Sequence, residues 1–188
     1  MSQQELLNKV VSALNSVGIE YMLTGSVVSS LQGEPRSTHD IDVVVAINEI
    51  TAKKLINSLS MPGFYLSKES VFEAVSLKSM FNLIEVNTGD KVDFYILKDI
   101  PFDHSCFTRK YVEEIFGLQV FVSRPEDTIL AKLRWAELCG GSDKQLTDAL
   151  RVYEVQFGSL DMEYLHSWIN TLGLEKLFQK MEGQAEIL

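Results

Sequence analysis

Apolar positions along this chain change period several times, and each change marks an element. From Glu5 to Val17 they fall at Leu6, Leu7, Val10, Val11 and Leu14, one face of an amphipathic helix, and Asn15 to Gly18 supply its stop. Tyr21-Met22-Leu23 reads as a short buried strand ending at Gly25, after which Ser26 caps a helix through Val27, Val28 and Leu31 that Gly33 and Pro35 break. Ile41 to Ile47 form a second strand, and Ile50 to Leu59 a helix closed by Pro62-Gly63. Phe81 to Val86 and Val92 to Leu97, joined by Asn87-Thr88-Gly89-Asp90, read as a hairpin. After Gly117 comes one more strand, Leu118 to Val122, and then the periods turn helical. Pro125 opens a helix that Gly140-Gly141 ends, followed by helices at Lys144 to Phe157, Met162 to Leu172 and Leu174 to Met181. The pattern predicts an α/β (α+β) chain: a mixed β-sheet flanked by helices over residues 1–123, and a C-terminal helical subdomain over 124–188. Trp135, Tyr153, Phe157, Tyr164 and Trp168 are expected to pack between those helices.

Chemistry concentrates in Thr38-His39-Asp40-Ile41-Asp42-Val43-Val44-Val45. In a strand, residues two apart share a face, so Asp40 and Asp42 point one way while Ile41 and Val43 point into the core. Two like charges side by side need something positive between them, and a hard cation such as Mg²⁺ takes one or two carboxylates plus substrate phosphates. Asp93, inside the second strand of the hairpin, is a buried charge that must be paired or metal-bound, and is the natural third ligand. A partly buried ion pair with a nearby Lys is the other reading of it. Three carboxylates on two strands could hold one or two Mg²⁺ ions, with Mn²⁺ as an alternative, and orient a triphosphate for in-line displacement. Gly25 lets the backbone approach phosphate closely, and Ser26 opens a helix whose N-terminus favours anions. Arg36 adds a fixed fork for phosphate oxygens. His39 alternates with Asp40 and so projects away from the carboxylate face.

Bulk properties narrow the partners. The chain has 188 residues, 46% of them hydrophobic, enough for a real core. A formal charge of −9 argues against broad binding to nucleic acid or an anionic membrane, leaving a tRNA end as the one nucleic-acid acceptor to consider, through a basic patch at Arg109-Lys110 or Lys132-Arg134. Cys106 and Cys139 are too few for a disulfide framework and lack zinc-ligand spacing. The polar start and the lack of a run of roughly 20 apolar residues predict a cytoplasmic protein.

Leu23-Thr24-Gly25-Ser26, then Arg36-Ser37-Thr38-His39-Asp40-Ile41-Asp42-Val43, then a lone Asp93 on a strand resemble the nucleotidyltransferase superfamily that shares the DNA polymerase β core. The resemblance covers about the first hundred residues. It implies that Gly25 and Ser26 contact the phosphates of a nucleoside triphosphate and that Asp40, Asp42 and Asp93 hold Mg²⁺, with Asp93 also helping to deprotonate the acceptor. The implied reaction moves a nucleoside monophosphate to an acceptor hydroxyl or phosphate and releases pyrophosphate. A second likeness, Pro125 to Arg134 followed by Lys144-Gln145-Leu146-Thr147-Asp148, is to the branch that includes abortive-infection toxins, and it implies that Lys132 and Asp148 lie near the nucleotide. Gln145 stands where that branch commonly has an aspartate. The resemblance leaves the acceptor unknown. Two other readings stay open: a catalytically silent nucleotide-binding or toxin-antitoxin partner protein of the same fold, and an interaction module whose acidic patch meets a basic partner. The last would be marked by Asp93 lying far from Asp40 and Asp42.

Overall fold

The computed structural model describes residues 1–187. The chain runs α1 (Gln3–Val17), β1 (Glu20–Thr24), α2 (Gly25–Gln32), β2 (Asp40–Ala46), α3 (Glu49–Leu59), β3 (Phe64–Tyr65), α4 (Lys68–Leu77), β4 (Met80–Glu85), β5 (Lys91–Ile96), α5 (Pro101–Arg109), β6 (Tyr111–Ile115) and β7 (Leu118–Val122). There follow α6 (Pro125–Leu138), α7 (Asp143–Gln156), a 3₁₀ turn (Phe157–Ser159), α8 (Met162–Leu172) and α9 (Glu175–Glu182). Two compact units result: residues 1–24 with 38–122, and residues 25–37 with the chain from 123 onward.

The first unit is built on a sheet of seven strands among the described residues, ordered β3-β4-β5-β2-β1-β7-β6. β2 pairs with β5, and β1 with β7, in parallel; the remaining pairs are antiparallel. This is the mixed sheet that the sequence pattern implies. Strict alternation in β2 sends Ile41, Val43 and Val45 into the core, where they are fully buried, and leaves Asp40, Asp42 and Val44 on the other face. Parallel β5 repeats this, with Val92, Phe94 and Ile96 in the core, and Phe94 stacks on Phe81 of β4 with ring centroids 4.7 Å apart. Helix α1 starts in a capping box, Ser2 accepting from the Glu5 N–H and Glu5 from the Ser2 N–H, and ends at Gly18 in the left-handed conformation.

The β4–β5 hairpin forms as its sequence predicts, and its turn is tied by Glu85. That buried carboxylate accepts hydrogen bonds from the Asn87 side chain and from the backbone and hydroxyl of Thr88, each at 2.7 Å. The Thr88 bonds are the main reason why its pKa falls from an ordinary 4.5 to about 2. Its ionised form is therefore favoured in the folded state, so the stabilisation is complete above pH 4.5 and is lost as pH falls toward 2. Melting temperature measured against pH is expected to show Glu85→Gln less stable than the parent at neutral pH, with the gap closing in acid.

Several elements are absent from the periodicity reading: β3, α4, α5 and β6. α5 buries only Phe102, Cys106 and Phe107, and its N-terminus has Ile100 with no side-chain cap, so it carries neither a clear stripe nor a start signal other than Pro101. Gly117 does not merely precede a strand. With Phe116 at φ 52° it forms the tip of a β6–β7 hairpin. α2 starts at Gly25, at φ 71°, so Ser26 lies in the first helical turn rather than at the cap.

The second unit is helical. α2 packs on α6 and α7, burying Val28, Ser29 and Gln32, and this is why residues 25–37 group with the helices that follow Ser123. The Gln32 side chain donates to the Ser123 carbonyl at 2.6 Å, and Gln156 donates to the Gln32 carbonyl at 2.8 Å. Tyr153 is buried edge-on to both Phe157 and Phe178, whereas Trp135, expected between helices, is 49% exposed. At Gly33 the backbones meet: a Cβ there would lie 2.8 Å from Val152 N and 2.9 Å from Arg151 C. Those atoms belong to a helix and cannot step aside, so Gly33→Ala is expected to cost about 2 kcal/mol, measured by denaturant unfolding.

Candidate active site

Register across the sheet of the first unit builds a polar row. β1 Thr24 faces β2 Asp42, Asp42 faces β5 Asp93, and Asp93 faces β4 Asn82, all on the same face because paired residues point the same way. One step along, Asp40 is in register with Lys91. Asp93 is thus beside Asp42, and the remote Asp93 that would mark a docking patch is not what the fold contains.

The positive group among these carboxylates is Lys91. Its Nζ lies 2.7 Å from Asp93 Oδ2 and 3.8 Å from Asp40 Oδ1. The bond to Asp93 and the charges of Asp40 and Asp42 raise the ammonium's pKa, against the opposing effect of burial. Next along the same face, the Tyr95 hydroxyl donates to Asp42; burial, and then the three carboxylate charges, push its pKa well up and keep it protonated. Lys91 and Tyr95 are missing from the sequence reading of the site, although the signal was present: Lys91, Asp93 and Tyr95 share a face by strand period alone.

Among the described residues, no three His, Cys, Asp or Glu side chains are gathered as a ready metal site. The chemistry of the donors nevertheless fits a hard divalent cation. Asp93 is 5% exposed, and its Oδ1 has no hydrogen-bond partner among the described residues. Leaving such an atom unsatisfied costs about 1–3 kcal/mol, and carboxylate oxygens are what Mg²⁺ and Mn²⁺ prefer.

The second unit gathers four more of the residues singled out in the sequence. Arg36 makes a two-pronged pair with Asp148, Nε to Oδ1 at 2.9 Å and Nη2 to Oδ2 at 2.7 Å. Arg36 Nη2 also donates to the Ser26 hydroxyl at 2.9 Å. Lys132 Nζ donates to Asp148 Oδ2 at 2.8 Å and reaches Ser26 Oγ at 3.5 Å. Lys132 and Asp148 are buried, while the Arg36 side chain is 31% exposed. Burial alone would raise the Asp148 pKa, but the hydrogen bonds from Arg36 and Lys132 outweigh it and hold the carboxyl below its ordinary value. Two cations bind one anion here, beside the start of α2, where Gly25 lacks a side chain and the helix N-terminus attracts anions. Gln145 lies on α7 with Asp148.

The crystal structure of ANT(2'')-Ia in complex with adenylyl-2''-tobramycin aligns at a TM-score of 0.60 and 14% identity, over 94% of this chain and 99% of that one. The lincomycin-bound lincosamide antibiotic adenylyltransferase LnuA aligns at 0.56 and 13% identity, over 82% and 98%. An antigenic nucleotidyltransferase-like protein from Paracoccidioides brasiliensis aligns at 0.51 and 19% identity, over 99% and 96%. No family model and no curated protein matches the chain. The fold is that of the nucleotidyltransferases. Among the described residues, no helix is long and apolar enough to cross a membrane.

Proposed function

We propose that this chain is a divalent-cation-dependent nucleotidyltransferase, moving a nucleoside monophosphate from a nucleoside triphosphate to an acceptor hydroxyl. The observation that carries the reading is the register that sets Asp42 beside Asp93 on parallel strands, with Asp40 on the same face. Asp40, Asp42 and Asp93 would hold Mg²⁺ or Mn²⁺, which supplies charge neutralisation for the triphosphate and the displaced pyrophosphate. Ser26, Arg36 and Lys132 bind triphosphate oxygens, and Gly25 allows close backbone approach. Asp148 holds the Arg36 fork and the Lys132 ammonium in place. In the transfer, the acceptor oxygen bonds to the α-phosphorus as the bond from that phosphorus to the bridging oxygen breaks. Pyrophosphate leaves, and the acceptor proton passes to the Asp93 carboxylate.

For the acceptor, a small cationic compound rich in hydroxyls suits a chain of net charge −9, which attracts cations and repels polyanions such as tRNA. ANT(2'')-Ia, crystallised with adenylyl-2''-tobramycin, offers a parallel. The test is a panel of acceptors, with an aminoglycoside, a lincosamide and tRNA among them, incubated with labelled ATP and MgCl₂ and followed by pyrophosphate release and label transfer. Transfer to any acceptor supports the reading. Triphosphate binding by calorimetry with no pyrophosphate from any acceptor would instead support the silent binding protein, which the Lys91 ammonium among the carboxylates favours.

A further inference from the structure

Lys91 gives the carboxylate face a counter-ion of its own. It lies on the same strand face as Asp93, two residues before it, and reaches both Asp93 and Asp40. One ammonium does not neutralise three carboxylates, and Asp93 keeps a buried Oδ1 without a hydrogen-bond partner among the described residues. The Lys91 side chain is 38% exposed, so its flexible stem can withdraw the ammonium into water at little cost, whereas buried Asp93 cannot leave. We infer that Lys91 is an exchangeable placeholder: its ammonium pairs with Asp93 and Asp40 until a divalent cation displaces it from both. The inference rests on the metal-binding role proposed for the three aspartates.

Two experiments on the full chain test it, with MgCl₂ alone as the probe. Calorimetry is expected to show Mg²⁺ binding about three- to tenfold tighter in Lys91→Met than in the parent, since a competitor has been removed. Lys91→Arg, whose planar fork grips a carboxylate in two places, is expected to bind Mg²⁺ more weakly by a similar factor. In the unaltered chain, where folding of a variant is not at issue, acetylation of Lys91 by an amine-reactive ester, read by mass spectrometry, is expected to rise severalfold as Mg²⁺ is added. Equal Mg²⁺ affinity in the parent and Lys91→Met, or Lys91 acetylation that does not change while heat of Mg²⁺ binding is recorded, overturns the placeholder and leaves the metal-binding role intact. No heat of Mg²⁺ binding in either protein overturns both.

Discussion

Asp42→Ala is expected to lower nucleotidyl transfer by at least about a thousandfold, the scale on which removal of an electrostatic element of a transition state is felt. Asp42 is the central carboxylate, with Thr24 on one side, Asp93 on the other, and Asp40 two residues away on the same face. Stability should change little. The substitution removes one of three like charges on one face, and the Tyr95 hydroxyl that loses its acceptor is only half-buried. The measurement is labelled transfer at saturating triphosphate beside a thermal melt. Asp42→Asn keeps the shape and one acceptor oxygen but not the charge, and is expected to be nearly as inactive. Transfer at the parent rate in either variant, with a normal melt, would remove the aspartates from the chemistry.

Asp148→Ala is expected to have the largest effect on stability, about 3 kcal/mol, because it removes the buried carboxylate that both Lys132 and Arg36 bind. For a chain of this size that is a fall of roughly 6–12 °C in the melting transition. The size of the effect comes more from Lys132, which is 4% exposed, than from Arg36, which is partly in water. Lys132→Met should cost less, about 1 kcal/mol, because Asp148 keeps its two-pronged bond to Arg36 and the methionine fills the vacated volume. A loss for Lys132→Met as large as that for Asp148→Ala would mean that packing, not charge pairing, holds these helices. The pH dependence has a definite sign. With its pKa below the ordinary 3.8, Asp148 stabilises the fold above that value and ceases to do so as the medium becomes more acidic. Triphosphate affinity should fall in Asp148→Ala as well, since Arg36 and Lys132 lose the anchor that orients them.

Much of the site was legible locally. A period of two placed Asp40 and Asp42 on the face away from Ile41 and Val43, and the Gly25-Ser26 pair announced a strand-to-helix passage. Pro125 and Gly140-Gly141 bounded α6 because backbone constraints at proline and glycine act without any help from the rest of the chain. Less was legible where local signals are weak. α5 has a thin apolar stripe, and β6 is a strand of five residues with charge in its centre, so neither stands out until β7 gives β6 a partner.

Near neighbours along the chain therefore fix the alternation of the strands, the starts and stops of most helices, and the residue types able to hold a cation or a phosphate. Tertiary packing was needed to set Asp93 beside Asp42, to bring Lys91 to Asp93 and Asp40, and to let a single carboxylate at Asp148 serve both Arg36 and Lys132. The physical reason is that strand register and helix contact are set by the burial of whole faces against distant parts of the chain. Alternation within β2 and β5 excludes a slip of one residue, which would send every side chain of one strand to the opposite face, but it does not distinguish alignments two residues apart, and that choice falls to the assembled core.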